Sequence, residues 1–103
     1  MIKAKKSLGQ NFLTDENILE KITNSADILN KTILEIGPGT GNLTSYILKK
    51  NPKKIFVIEK DNELASNLEN KFKNQIKIIN DDVLKIDETK LFKDEVTVFG
   101  NLP

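Results

Sequence analysis

The residues 35–42, Glu35-Ile36-Gly37-Pro38-Gly39-Thr40-Gly41-Asn42, place a carboxylate and three alternate glycines directly behind a short apolar run at 33–36. Glycine admits positive φ and lets the backbone approach a ligand closely. A helix expected from Gly41 onward would add free N–H groups and a positive dipole end, suited to a carboxylate or phosphate. The spacing is G-x-G-x-G. The dinucleotide pattern G-x-G-x-x-G would need glycine at position 42, which is Asn42, and a P-loop would need Gly-Lys-Ser/Thr, which is absent. Glu35 is placed to hold a ligand's amino group or the turn itself. This set of features suits S-adenosylmethionine, which carries an ammonium and a carboxylate but no pyrophosphate, better than NAD.

Three further groups follow apolar runs. Glu59 ends the second run, 22 residues after Gly37, where a carboxylate can accept from both hydroxyls of an adenosine ribose; Asp61, two residues on, reads as a helix cap. Asp81-Asp82-Val83 follows the third run. A carboxylate there could accept from an adenine amine while the next N–H donates to the ring, and spacing prefers neither aspartate. Asn101-Leu102-Pro103 follows the fourth. An amide oxygen and an exposed carbonyl there could accept from a planar exocyclic NH₂, aiming the nitrogen lone pair at a methyl group. No metal site is expected: the chain has no Cys and no His, and paired acids alone do not make converging ligands.

The elements that must position these groups alternate along the chain. Residues Thr32–Ile36, 55–58, 76–79 and 96–99 read as strands. Their lack of apolar–polar alternation implies a parallel sheet covered by helices on both faces. A helix begins near Glu16, capped by Thr14 or Asp15, with Ile18, Leu19, Ile22 and Ala26 on one face. A second spans 42–50 with Leu43, Ile47 and Leu48 inward, ended by Asn51-Pro52. A third spans 61–73 with Leu64, Leu68 and Phe72 repeating every four residues. Residues 1–13 read as a basic extended arm or loop, and 81–94 as an irregular acidic stretch with one short turn. The expected fold is α/β, the first four strands of a Rossmann-like doubly wound sheet, whose carboxyl strand ends line the ligand crevice.

Composition narrows the classes. The chain has 103 residues and net charge +1, so its overall balance favours neither nucleic acid nor membrane. All 16 basic residues are Lys, with Lys3, Lys5 and Lys6 clustered at the start. No apolar run approaches the ~18 residues of a membrane span, and no secretory signal is present, so a cytoplasmic location is expected. The chain stops immediately after a strand, which reads as an amino-terminal fragment. That would leave the fourth strand with an open edge through which a second copy could pair.

Taken together, these segments resemble the ribosomal RNA adenine N6,N6-dimethyltransferases of the KsgA type. Lys6-Ser7-Leu8-Gly9-Gln10-Asn11-Phe12-Leu13 is similar to that family's amino-terminal signature, and residues 35–44 to its cofactor loop. Ile58-Glu59-Lys60-Asp61 is similar to its ribose-binding strand end. Asp82-Val83-Leu84 is similar to its adenine segment, which selects Asp82, and Gly100-Asn101-Leu102-Pro103 to its catalytic Asn-Leu-Pro-Tyr, ending before the tyrosine. The resemblance implies dimethylation at N6 of two adjacent adenines in a small-subunit rRNA hairpin loop, within the immature 30S subunit. By the same resemblance Asn101, Leu102 and Pro103 are catalytic, and Gln10, Asn11, Leu13, Glu35, Gly37, Gly39, Glu59, Asp82, Val83 and Asn101 bind S-adenosylmethionine. Lys3, Lys5 and Lys6 would meet RNA phosphates, although a solvated tail is an equal reading. The rest of the catalytic domain and a helical carboxyl-terminal domain would be missing, so the fragment would bind cofactor weakly and be inactive. Related large-subunit rRNA methyltransferases of macrolide resistance are the nearest rival; they tend to carry Lys in place of Thr40 and Ile in place of Leu102. An NAD-binding oxidoreductase is the rival from another class.

Overall fold

The computed structural model describes residues 2–6, 15–87, 90, 92 and 95–100, the first five by backbone alone. Five strands form one sheet in the order β1-β5-β2-β3-β4, every pair parallel: β1 (Ile2–Lys6), β2 (Thr32–Ile36), β3 (Lys54–Ile58), β4 (Lys77–Ile79) and β5 (Val96–Gly100). Register aligns the carboxyl ends: Ile36 pairs with Ile58 and Gly100, Ile58 with Ile79, and Lys6 with Gly100. The chain steps from β2 outward to β4, then returns to place β5 on the other side of β2. The strand order therefore reverses between β2 and β5, where doubly wound sheets hold their ligands.

Local sequence explains the helices. Asp15 caps α1 (Glu16–Asn24) by accepting from the N–H groups of Asn17 and Ile18. Asp61 caps α3 (Asn62–Phe72) by accepting from the Leu64 N–H at 3.0 Å. Between them, α2 (Asn42–Leu48) starts at Gly41, which sits in the left-handed region with no side-chain cap. The core divides by strand alternation. Ile33, Val57 and Phe99 face the helices and pack with Leu19, Leu43, Ile47, Leu68 and Phe72. Leu34, Ile58 and Val98 face the other way, under Val83, Ile86 and Phe92.

The expected α/β architecture forms, with three differences of detail. First, residues 2–6 are a strand where an arm or loop was expected. Ile2 and Ala4 alternate with Lys3 and Lys5, the period of a strand with one open edge. Second, β5 is consequently flanked by β1 and β2, so the open edge expected at the last strand is covered and pairing with a second copy through it is not available. Third, α1–α3 all supply the same core. On the opposite face the described cover is Val83, which opens a 3-10 turn (Val83–Lys85), with Ile86 and Phe92, whose ring packs edge-to-face on Phe56 with centroids 5.0 Å apart. Among the described residues no helix is long and apolar enough to cross a membrane.

Candidate functional site

The turn between β2 and α2 is built from three glycines with positive φ: Gly37 at 68°, Gly39 at 59° and Gly41 at 89°. All three N–H groups hold the turn. Gly37 donates to the Ile58 carbonyl at 2.9 Å, Gly41 to the Pro38 carbonyl at 3.0 Å, and Gly39 to Glu59 Oε1 at 3.3 Å. The glycines nonetheless do different jobs. A Cβ at Gly39 would meet nothing within 4 Å, so that position faces open space. A Cβ at Gly41 would lie 2.6 Å from Phe72 Cε2 and 3.0 Å from Leu68 Cδ2, so that glycine is required by close packing against α3.

Glu59, 7% exposed, joins the ends of β2 and β3. Its Oε1 accepts from Gly39, and its Oε2 accepts from the Asp61 N–H at 3.0 Å. Asp61 caps the helix as expected, and Glu59 turns toward the glycine loop. Each Glu59 oxygen has one backbone donor and keeps a lone pair for a further one.

Glu35 lies wholly inside, 0% exposed, with Val57 and Phe99 as its strand neighbours. Its Oε1 accepts from the Thr44 hydroxyl, which ties β2 to α2 beneath the turn. Its Oε2 has no hydrogen-bond partner among the described residues. Burial, opposed by the Thr44 bond and reinforced by the Glu59 charge, pushes the Glu35 carboxyl from the usual 4.5 up to about 7. The site therefore holds two buried carboxyl groups, Glu35 with its pKa raised by enclosure and Glu59 accepting from two backbone N–H groups.

At the end of β4, Asp82 caps the 3-10 turn by accepting from the Leu84 N–H at 3.0 Å, while the exposed Asp81 accepts from the Asp82 N–H at 2.7 Å. The turn leaves Leu84 89% exposed. Asn80 was not singled out from sequence. Its side-chain amide donates to the carbonyls of Glu59 at 2.9 Å and Lys60 at 3.3 Å, fastening the β3 and β4 ends together. Thr44 and Lys71 were also missed. Thr44 sits next to Leu43 on the inward face of a short helix, a faint signal. Lys71, whose Nζ donates to the Thr40 carbonyl at 3.2 Å, reads in sequence as an ordinary surface lysine.

The structure thus gathers Gly37, Gly39 and Glu59 at the carboxyl end of the sheet, with Glu35 enclosed beneath the turn and Asp82 and Val83 beyond the end of β4. Gln10, Asn11, Leu13, Asn101, Leu102 and Pro103 lie outside the described residues, and Lys3, Lys5 and Lys6 are placed by backbone alone in β1. No group of His, Cys, Asp and Glu suited to a metal ion occurs among the described residues. The arrangement fits an adenosyl amino acid on two counts. A buried carboxylate oxygen lacks a donor, which an ammonium would supply, and the turn is open at Gly39 beside a carboxylate with free lone pairs.

Comparison with known proteins agrees with this geometry. A family model described as ribosomal RNA adenine dimethylase matches residues 1–103. The chain is 62% identical over 102 residues to a Pelagibacter ubique protein named ribosomal RNA small subunit methyltransferase A, covering 99% of this chain and 39% of that one. It therefore spans about two fifths of the length of that curated relative. Among solved structures it is similar to a dimethyladenosine transferase from Plasmodium falciparum, with 30% identity and a TM-score of 0.72 over 86% of this chain and 32% of that one. It is also similar to the 23S rRNA methyltransferase ErmE, with 25% identity and a TM-score of 0.76 over 86% of this chain and 36% of that one. Nothing in these matches supports the NAD-binding alternative. A match running over every residue leads to one conclusion: the chain belongs to the ribosomal RNA adenine dimethylase family.

Proposed function

We propose that these residues form the cofactor-binding part of a cytoplasmic enzyme that uses S-adenosylmethionine to dimethylate N6 of two adjacent adenines in a small-subunit rRNA hairpin loop during ribosome assembly. The observation that carries the reading is the 62% identity to a protein named for small-subunit rRNA methylation. The cofactor supplies a methyl group on a sulfonium, a good leaving group, so the protein's task is positioning and local electrostatics. In this reading the turn at Gly37 and Gly39 receives the methionine part, and Glu35 offers its free Oε2 to the ammonium while holding the turn through Thr44. Glu59, fixed by its two backbone donors, accepts from the ribose hydroxyls. Asp82 and Val83 meet the adenine edge. Gln10, Asn11 and Leu13 border the methionine end. Asn101 and the Leu102 carbonyl accept from the target amine, Pro103 shapes that turn, and Lys3, Lys5 and Lys6 meet RNA phosphates. A target base must stand clear of its stack to reach such a site.

The likeness to ErmE favours a second reading, methylation of large-subunit rRNA; Thr40 and Leu102 weigh against it. Two experiments test the proposal. Calorimetry of the chain with S-adenosylmethionine and with NAD should give weak heat with the first only, and heat with NAD alone would sink the reading. A chimera in which these residues replace the matching stretch of the Pelagibacter protein should methylate unmethylated small subunits and not large-subunit rRNA. The 103 residues on their own are expected to transfer no methyl group.

A further inference from the structure

Three side chains converge on the outer limb of the glycine turn, and all come from the carboxyl-terminal half of α3. Phe72 and Leu68 lie where any side chain at position 41 would have to go. Lys71 Nζ donates to the Thr40 carbonyl at 3.2 Å and stands 5.2 Å from the centre of the Phe72 ring, over its face. The inner limb is fixed differently, by Gly37 on the Ile58 carbonyl and Gly39 on Glu59. On the outer limb, Gly41 N–H to the Pro38 carbonyl is local to the turn, and Ser45 Oγ and N–H reach the Gly41 carbonyl from α2. Only the α3 contacts tie that limb to a separate element among these bonds. Thr40 and Lys71 are both exposed, whereas Gly41 and Phe72 are buried, so the lysine closes over a packed floor.

From this geometry we infer that Lys71 is a positioning residue for the cofactor turn, latching the Thr40 carbonyl to α3 so that Gly39 is held in its open, positive-φ form. The inference rests on the S-adenosylmethionine reading for its consequence, but the latch itself can be observed with no ligand. Lys71→Met keeps the aliphatic stem and the contact with Phe72 while removing the donor. Amide hydrogen exchange on the free chain is the primary measurement. In K71M the Gly39 and Gly41 amides should exchange at least about three-fold faster, while the Leu34 and Val57 amides in the sheet keep their rates; in Lys71→Arg, which restores a donor, the turn amides should return to the parent rates. Loss of an exposed helix side chain that mattered only for stability would speed turn and sheet amides alike and would not be repaired by arginine. Unchanged turn amides in K71M, or equal acceleration everywhere, would overturn the latch. Calorimetry with S-adenosylmethionine then reads its consequence: affinity about three- to ten-fold weaker in K71M and restored in K71R. Turn amides that respond as expected in a chain that takes up no S-adenosylmethionine would leave the latch standing and overturn the cofactor reading instead.

Discussion

Glu35 shows how one residue can carry both a fold and a titration. Enclosed between Val57 and Phe99, it keeps its proton up to about pH 7, whereas the unfolded chain loses it near 4.5. The folded state therefore binds more protons between those values, and stability falls as pH rises through that window, by about 3 kcal/mol in all. Glu35→Gln removes the titration. In urea unfolding between pH 5 and pH 8 the parent should lose stability while E35Q stays nearly flat, and a parent that gains stability over that range would contradict the assignment. The glycines make a second residue-scale contrast. Gly41→Ala meets both a left-handed φ and the Phe72 ring, and should cost about 2–4 kcal/mol. Gly39→Ala meets only the φ penalty, about 1–2 kcal/mol, yet it fills the open side of the turn. It should therefore weaken S-adenosylmethionine binding out of proportion to its effect on unfolding, as calorimetry beside urea melts would show.

At the scale of elements, what can be read from the sequence depends on whether the signal is local. Asp15 and Asp61 announce their helices because a cap is a short-range bond, and the apolar runs ending at Ile36 and Ile58 announce buried strands because both faces are covered. Glu35 and Glu59 stand out as candidate site residues for the same reason, since one is a carboxylate inside such a run and the other directly follows one. Thr44, Asn80 and Lys71 were not legible, because their importance comes from partners 9, 21 and 31 residues away, whose proximity only the packed sheet creates. β1 is the instructive miss. Its alternation of Ile2 and Ala4 with lysines is weak and short, and its partner β5 lies at the far end of the chain. The pairing has a consequence: β1 covers an edge that would otherwise expose the unpaired backbone of β5. Deleting residues 1–6 should make the chain self-associate, seen as faster-sedimenting species at concentrations where the full chain is monomeric.

At the scale of the whole molecule, the two faces of the sheet are unequally protected. Three helices pack Leu19, Leu43, Ile47, Leu68 and Phe72 over one face. The other face holds Leu34, Ile58 and Val98, covered among the described residues by Val83, Ile86 and the half-buried Phe92. The glycine turn lies at the carboxyl edge of this asymmetric slab and packs on α3, on the thick side, while Val83 belongs to the thin one. The thick side should hold the molecule together. Leu43→Ala removes a fully enclosed side chain and should cost about 2–5 kcal/mol, a large share of the 5–15 kcal/mol typical of a domain. Phe92→Ala removes a ring that still sees solvent and should cost about 1–2 kcal/mol, because less apolar area is lost than at a fully enclosed position. The two variants should also differ in hydrogen exchange. L43A should raise exchange throughout the sheet, whereas F92A should open residues 82–86 while β2 and β3 stay protected. Equal losses of stability, with F92A exposing the whole sheet, would mean that the thin cover is as essential to the fold as the helices.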